Sequence, residues 1–280
     1  MIELDFSPVW SGWRDLAHGA VTTVEVTVGA IVLGCLIGLL LGLGRLNPKR
    51  RVVYALCTAY VSFVRGTPLL VQLFIWFFGL PLVGLTLSAF FCGVVGMGMY
   101  SGAYVSEIVR GAVQSVDNGQ NEAARSLGLS NAQAMMHVIV PQALVRMIPP
   151  LGNEFIALIK NSSLVSLLTI TDLMHEGQKI ISVSYRSLEV YLAIACVYFV
   201  LTNLTGLALK KVESKLRRAR LVGSVRGPGG GYILAVSADE ISIAQIIAAA
   251  EDKLDATQCS SKANCHNGAP CLTHDLWENL

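Results

Sequence analysis

The sequence predicts an all-α membrane protein of five transmembrane helices, N-terminus outside and C-terminus inside, followed by a small α+β soluble fragment. Three observations predict it. Hydrophobic residues make up 53% of the chain and charged residues only 14%, whereas charged residues are roughly a quarter of an ordinary soluble domain. Apolar residues gather into runs long enough to cross a bilayer, and the two most basic short loops fall together on one side when the chain crosses five times. Composition then turns abruptly polar near Leu221. The net charge of +2 decides nothing by itself; the placement of lysine and arginine does.

Met1 to Ala20 carries Glu3, Asp5, Arg14 and Asp15 and lacks the basic start and apolar core of a cleaved signal. It is expected to be a short extracytoplasmic lead-in. Val21 to Leu43 is a run of about 23 residues broken only by Glu25, and a bilayer core needs about 20 in a helix. Gly34, Gly38 and Gly42 recur every fourth residue, so they line one face and predict a close helix–helix seam. Arg45, Lys49, Arg50 and Arg51 follow without an acid, which assigns this loop to the cytoplasm. The long apolar stretch Val52 to Tyr104 divides at Pro81 and Gly84 into a second and a third span. Arg65-Gly66-Thr67-Pro68 interrupts the second, with Thr67 expected to cap a helix whose first residue is Pro68.

The third span is expected to run to about Val113, ended by Asp117-Asn118-Gly119-Gln120. The polar segment that follows lies two crossings from the basic loop and is therefore cytoplasmic. Ser130 and Gln133 have the spacing of a capping box and open a fourth span, expected to be irregular at Pro141, Pro149 and Pro150. Thr171 to Ser187 has mixed charge and is assigned outside. Leu188 to Leu209 is the fifth span, and Lys210, Lys211, Lys215, Arg217, Arg218 and Arg220 follow it, opposed by Glu213 alone. Cys35, Cys57, Cys92 and Cys196 stand singly in apolar stretches and read as small hydrophobes.

The polar segment reads Gly119-Gln120-Asn121-Glu122-Ala123-Ala124-Arg125-Ser126-Leu127-Gly128-Leu129, and Pro141 closes the region. A short helix outside the bilayer, with Ala123 and Ala124 offering a flat surface and Glu122 offering a charge, suits docking into a groove on another protein. Gly128 suits its end, where a left-handed residue is favoured. The alternative is a surface turn with no partner. This string resembles the EAA loop of ABC importer permeases, with Val138 and Val140 where that family commonly has Ile and Leu. Arg65-Gly66-Thr67-Pro68-Leu69-Leu70-Val71-Gln72, Ala103 to Gly111, Gly152-Asn153-Glu154-Phe155 and Lys160-Asn161-Ser162-Ser163-Leu164 resemble the subgroup that imports polar amino acids. That subgroup usually has an acid and Thr-Ser where this chain has Asn161-Ser162. The resemblance covers about residues 15 to 215.

The resemblance implies a type I importer permease of the bacterial inner membrane, working by alternating access without a cofactor. It implies that a loop at about 117–131 couples to an ABC ATPase subunit dimer through Gly119, Gln120, Glu122, Ala123, Ala124, Gly128 and Pro141. It implies further partners: a second permease copy or a sibling permease, an extracytoplasmic amino-acid-binding protein, and membrane lipid. No GxxxxGK[ST] phosphate loop occurs in the sequence, so ATP hydrolysis is expected on a separate chain and this subunit is not an enzyme.

Charged groups at membrane depth are costly and usually face the bundle interior or a watery path. Arg65, Glu107, Arg110, Glu154 and Lys160 are the candidates for a substrate path. Glu107 and Arg110 are three residues apart and can neutralise each other on one helix face; the other reading is substrate contact. Glu107 or Glu154 could receive the ammonium of an amino acid.

After Leu221 come Gly227-Pro228-Gly229-Gly230-Gly231, strand-like Tyr232-Ile233-Leu234, a helical run from Ser242 to Glu251, and Cys259-x5-Cys265-x5-Cys271-x2-His274. Three thiolates and an imidazole are enough donors for one metal centre. Residues 221–280 resemble the bacterial iron-sulfur-cluster transcription regulator, which implies a [2Fe-2S] cluster on Cys259, Cys265, Cys271 and His274; zinc or no metal are the other readings. The Gly-rich stretch matches that family's wing, and the recognition helix has no counterpart here. Specific DNA binding is therefore not expected, because base reading needs an element in the groove. The domains are expected at 1–220 and 221–280. Two functions stand at this point, a permease subunit and, as the alternative, a membrane-tethered iron-sulfur-responsive transcription regulator.

Overall fold

The structure is a computed structural model that describes residues 4–218, 222–225 and 231–234. In chain order its elements begin with α1 (Ser7–Ser11), α2 (Trp13–Gly44), α3 (Arg51–Gly66), α4 (Leu69–Phe74), a π turn over Ile75–Gly79, α5 (Leu80–Leu82) and α6 (Ala89–Gln114). They continue with α7 (Asn118–Ser126), α8 (Asn131–Ala134), a second π turn over Met135–Ile139, α9 (Val140–Asn161), a 3₁₀ turn over Ser162–Leu168, α10 (Leu173–Ser184) and α11 (Ser187–Arg218). Strands β1 (Val222–Val225) and β2 (Gly231–Leu234) close the series. Among the described residues two compact units result, one of residues 4–115 with 146–209, the other of residues 116–145 with the described residues from Lys210 on.

Among the described residues, four helical stretches are long and apolar enough to cross a membrane: Trp13–Gly44, Ala89–Gln114, Asn131–Leu168 and Ser187–Val212. The segments Arg51–Gly66 and Leu69–Leu82 meet at 108° and make a fifth when counted together. Val28, Val32, Leu36, Leu40 and Leu43 stay exposed along one stripe of α2, an arrangement that lipid stabilises and water does not.

In the first unit α2 and α6 pack backbone to backbone, and the spaced glycines are the reason. A Cβ at Gly38 would stand 2.5 Å from the Val105 Cβ and 3.0 Å from the Gly102 carbonyl oxygen. At Gly42 it would meet Val109 at 2.8 Å, and at Gly34 it would meet Ser101 at 3.0 Å. The fit is reciprocal, since Gly98 and Gly102 of α6 receive Leu33 and Ile37 of α2. Gly38→Leu is therefore expected to destabilise the protein by about 1–3 kcal/mol through overpacking, read as a lowered thermal midpoint in detergent. Gly111→Ala is the control. Nothing lies within 4 Å of the added carbon there, so its midpoint should hold or rise slightly.

The bend after α3 corrects one expectation. Thr67 does not cap the next helix; its hydroxyl donates back to the Phe63 carbonyl at 2.9 Å, and α4 begins after Pro68 with no side-chain cap. Gln72 does the work instead. Its buried amide donates to the Val64 carbonyl at 2.8 Å and to the Thr67 hydroxyl at 2.8 Å, satisfying groups that the break leaves without helical partners. Beyond α4, Leu69, Leu73, Met97, Leu158, Val165 and Leu168 pack with Val26 and Ala30 into one buried cluster.

The fourth span differs from expectation as well. α9 runs straight through Pro149 and Pro150, and the irregular backbone lies before and after it, in the π turn ahead of Pro141 and the 3₁₀ turn Ser162–Leu168. Proline removes a donor but its fixed φ suits a helix, so the missing bonds did not end it. The stretch assigned only as an external loop contains α10, whose N-terminus Asp172 caps by accepting from the His175 amide.

In the second unit, Asp117 caps α7 by accepting from the Gly119 amide at 2.6 Å, and the Ser130–Gln133 capping box is present in both directions at 2.9 and 3.3 Å. Strands β1 and β2 pair antiparallel with Val222 opposite Leu234 and Val225 opposite Gly231. The strand expected at Tyr232–Leu234 falls within β2.

Candidate functional site

The segment at 117–131 is a capped helix followed by a glycine stop. α7 ends at Ser126, and Gly128 has φ +87°, a left-handed geometry that glycine adopts without steric cost. The Arg125 guanidinium donates to the Leu129 carbonyl at 2.9 Å, closing the turn after the helix. Glu122 and Ala123 are exposed, but Ala124 is only 3% exposed. The two alanines therefore do not form one outward surface: adjacent helical positions lie 100° apart, and Ala124 fills the packed side. Leu127 is 80% exposed at the tip, an apolar side chain open to solvent that the sequence did not single out. Gln120 is joined to the start of α9, where the Gln142 amide nitrogen lies 3.4 Å from the Gln120 oxygen and 2.9 Å from the Val138 carbonyl. Pro141, one residue earlier, is buried.

The membrane-depth charges fall into one hub and two separate positions. Glu107 on α6 receives three arginines. Arg45 Nη1 approaches Oε1 at 2.5 Å, Arg110 Nη2 approaches Oε2 at 2.7 Å, and Arg65 Nη1 stands 3.6 Å from Oε1. Arg45 also donates to the Thr58 hydroxyl at 3.3 Å and Arg110 to the Gln114 side chain at 2.7 Å. The Arg65 guanidinium lies over the Tyr104 ring, 5.3 Å from its centroid, a geometry that favours a cation electrostatically. The pairing of Glu107 with Arg110 was legible from their spacing. Arg45 was not, having been assigned only to the basic loop, although it is the most buried cation of the hub at 9% exposure. Glu154 lies apart on α9 beside Ser101 of α6. Lys160 is exposed and outside the hub. The candidate ligands Cys259, Cys265, Cys271 and His274 lie outside the described residues.

Residues 30–218 match the family described as binding-protein-dependent transport system inner membrane component, and residues 201–280 match a family described as iron-dependent transcriptional regulator. A probable glutamine ABC transporter permease of Bacillus subtilis is 38% identical over 72% of this chain and 91% of its own length. The glutamine transport system permease of Escherichia coli is 35% identical over 77% of this chain and 99% of its own. Among solved structures, an amino acid ABC transporter crystallised with histidines superposes with a TM-score of 0.73 at 40% identity, over 77% of this chain and all of that one. The inward-facing MetNI methionine ABC transporter shares the fold at 20% identity, with a TM-score of 0.61 over 71% of this chain and 94% of its own.

Proposed function

The chain belongs to the family of inner membrane components of binding-protein-dependent transport systems, as the permease subunit of an ABC transporter, and on that premise we propose that it imports polar amino acids, the glutamine group first among them. The relatives' own names support that substrate class. The transport reading accounts for residues 30–218 and the regulator match for 201–280, so transport is the function of the larger part. Residues 1–220 form the permease domain in this reading and 221–280 a separate fragment.

The observation that carries the proposal is the capped, solvent-exposed helix Asn118–Ser126 with its glycine stop. It is a preformed knob, and a knob needs a socket. Docked into a separate ATPase, with Gly119, Gln120, Glu122, Ala123 and Gly128 at the contact and Ala124 and Pro141 packing behind it, it transmits ATP-driven closure to the helices. Five crossings with the N-terminus outside put this knob in the cytoplasm. A second permease copy or a sibling completes the pore, and an extracytoplasmic binding protein delivers the cargo. Along the path, Arg65 and Lys160 are the groups suited to a substrate carboxylate and Glu154 to an ammonium, while Glu107 and Arg110 hold each other.

The test is uptake in a strain deleted for the gene and complemented with the full chain, across labelled glutamine, histidine, arginine and glutamate. Restored uptake of at least one, together with co-purification of an ATPase subunit, is expected. Failure across the whole panel with the chain present in the membrane rejects the substrate class, and absence of any ATPase rejects the coupling reading.

A further inference from the structure

α7 is carried on short links. Ser115, Val116 and Asp117 separate it from α6, and the link that follows it contains Gly128 at φ +87°. A few loop residues of this kind can absorb large backbone rotations, so a push on a nine-residue helix is lost in its links unless side chains tie it to something longer. Two side chains of α9 reach back to this segment.

The first is Gln142, only 4% exposed. Its Nε2 donates to the Val138 carbonyl at 2.9 Å and lies 3.4 Å from Gln120 Oε1 on α7. Val138 belongs to the π turn Met135–Ile139. Pro141 brings no N–H to the backbone ladder just beyond that turn, and the Gln142 side chain brings one. The inward side of α7 rests on the same turn, where Ala124, Val138 and Ile139 are all buried. α7, the π turn and the first turn of α9 therefore make one packed and hydrogen-bonded piece.

The second is Arg146, four residues further along α9 and so on the same face as Gln142. Its Nη1 donates to the Ser115 carbonyl and to the Ser115 hydroxyl, the latter at 3.0 Å. Ser115 caps the C-terminus of α6, where the helix dipole favours a cation. α9 thus holds the chain just ahead of α7 as well as α7 itself.

We propose that Gln142 and Arg146 are positioning residues that make α9 the lever of α7: they fasten the helix and the chain entering it to one face of α9, so that a push on α7 moves α9 instead of being absorbed in the links. The proposal rests on the reading of α7 as the knob that docks into the ATPase. Neither residue is assigned to that contact. The competing account is purely structural, with Arg146 capping α6 and Gln142 repairing the break at Pro141. The two accounts differ in what fails. A structural lesion lowers uptake and ATP hydrolysis together, whereas a loosened lever leaves the motor turning and lowers uptake alone.

The test is the ratio of ATP hydrolysed to substrate carried, measured on the transporter purified with its ATPase subunits and reconstituted in vesicles with its binding protein. The substrate is labelled glutamine, or whichever amino acid of the uptake panel the parent carries. Gln142→Leu and Arg146→Met should each retain the ATPase and hydrolyse ATP within about twofold of the parent, while the ratio rises at least fivefold. Arg146→Lys restores a cationic donor toward Ser115 and should bring the ratio back to within about twofold of the parent. Arg146 is only half-buried, so its variants carry the test if Gln142→Leu fails to assemble. An unchanged ratio in Arg146→Met or in an assembled Gln142→Leu overturns the proposal even if both absolute rates fall, and so does an Arg146→Lys variant as uncoupled as Arg146→Met. Glu122→Lys in the same vesicles separates the two readings. Normal uptake by that variant rejects the docking of α7 itself, whereas lost uptake there beside unchanged ratios in the α9 variants rejects the lever alone.

Discussion

Glu107→Ala is expected to cost about 3 kcal/mol of stability, because removing one partner of a largely buried ion pair leaves the other charge uncompensated. One carboxylate here faces three guanidinia, and Arg45 is only 9% exposed, so it has no water to turn to. At 2–4 °C per kcal/mol for a chain of this size class, the thermal midpoint should fall by roughly 6–12 °C. The other members should matter less. Arg110 and Arg65 are 30% and 46% exposed, and exposed pairs typically contribute less than about 1 kcal/mol. Arg45→Met combined with Glu107→Gln should recover a good part of the single-variant loss, since the uncompensated charge is then gone. A Glu107→Ala midpoint close to the parent's would show that the guanidinia are held by something other than this carboxylate.

That hub also marks the limit of what the sequence made legible. Local rules worked where the partners are close in sequence: the Ser130–Gln133 box, the Asp117 break, the glycine stop at Gly128 and the Glu107–Arg110 pair all lie within three or four residues or depend on one backbone angle. The glycines at Gly34, Gly38 and Gly42 were legible as a seam because helical periodicity puts them on one face, although nothing in their spacing says that α6 is what they meet. Arg45 and Glu107 are 62 positions apart, and no pattern in one sequence joins them. Thr67 failed for a different reason: α4 starts only after Pro68, and the Thr67 hydroxyl donates back to the Phe63 carbonyl of the preceding helix instead. Ala124 failed because a string of letters does not say which side of a four-turn-or-shorter helix faces inward. α10 was hidden by its mixed composition, although Asp172 three residues before His175 is the ordinary spacing of a helix cap.

Glu122→Lys is expected to abolish coupled uptake while leaving the subunit folded. Glu122 is exposed, makes none of the ion pairs among the described residues, and shares its helix only through its backbone carbonyl, which accepts the Ser126 hydroxyl at 3.0 Å. Lysine has a similar helix propensity, so the thermal midpoint should stay within about 0.5 kcal/mol of the parent, as for most surface substitutions. At a docked interface the same change reverses a charge, and losing a paired interfacial charge costs about 2–5 kcal/mol. Uptake should therefore fall by more than tenfold, and ATP hydrolysis in the reconstituted transporter should be lost or should cease to respond to the loaded binding protein. The position matters more than the residue type. Ala124→Asp, at 3% exposure, is expected to disturb the local fold itself, so loss of uptake there would not distinguish docking from misfolding. Gly128→Ala strains a left-handed residue at a cost of about 1 kcal/mol, an intermediate case. Normal uptake by a well-folded Glu122→Lys variant would mean that the exposed helix is not the surface the motor pushes on, and the transmission of force would have to be sought at Leu127 and Gly128 instead.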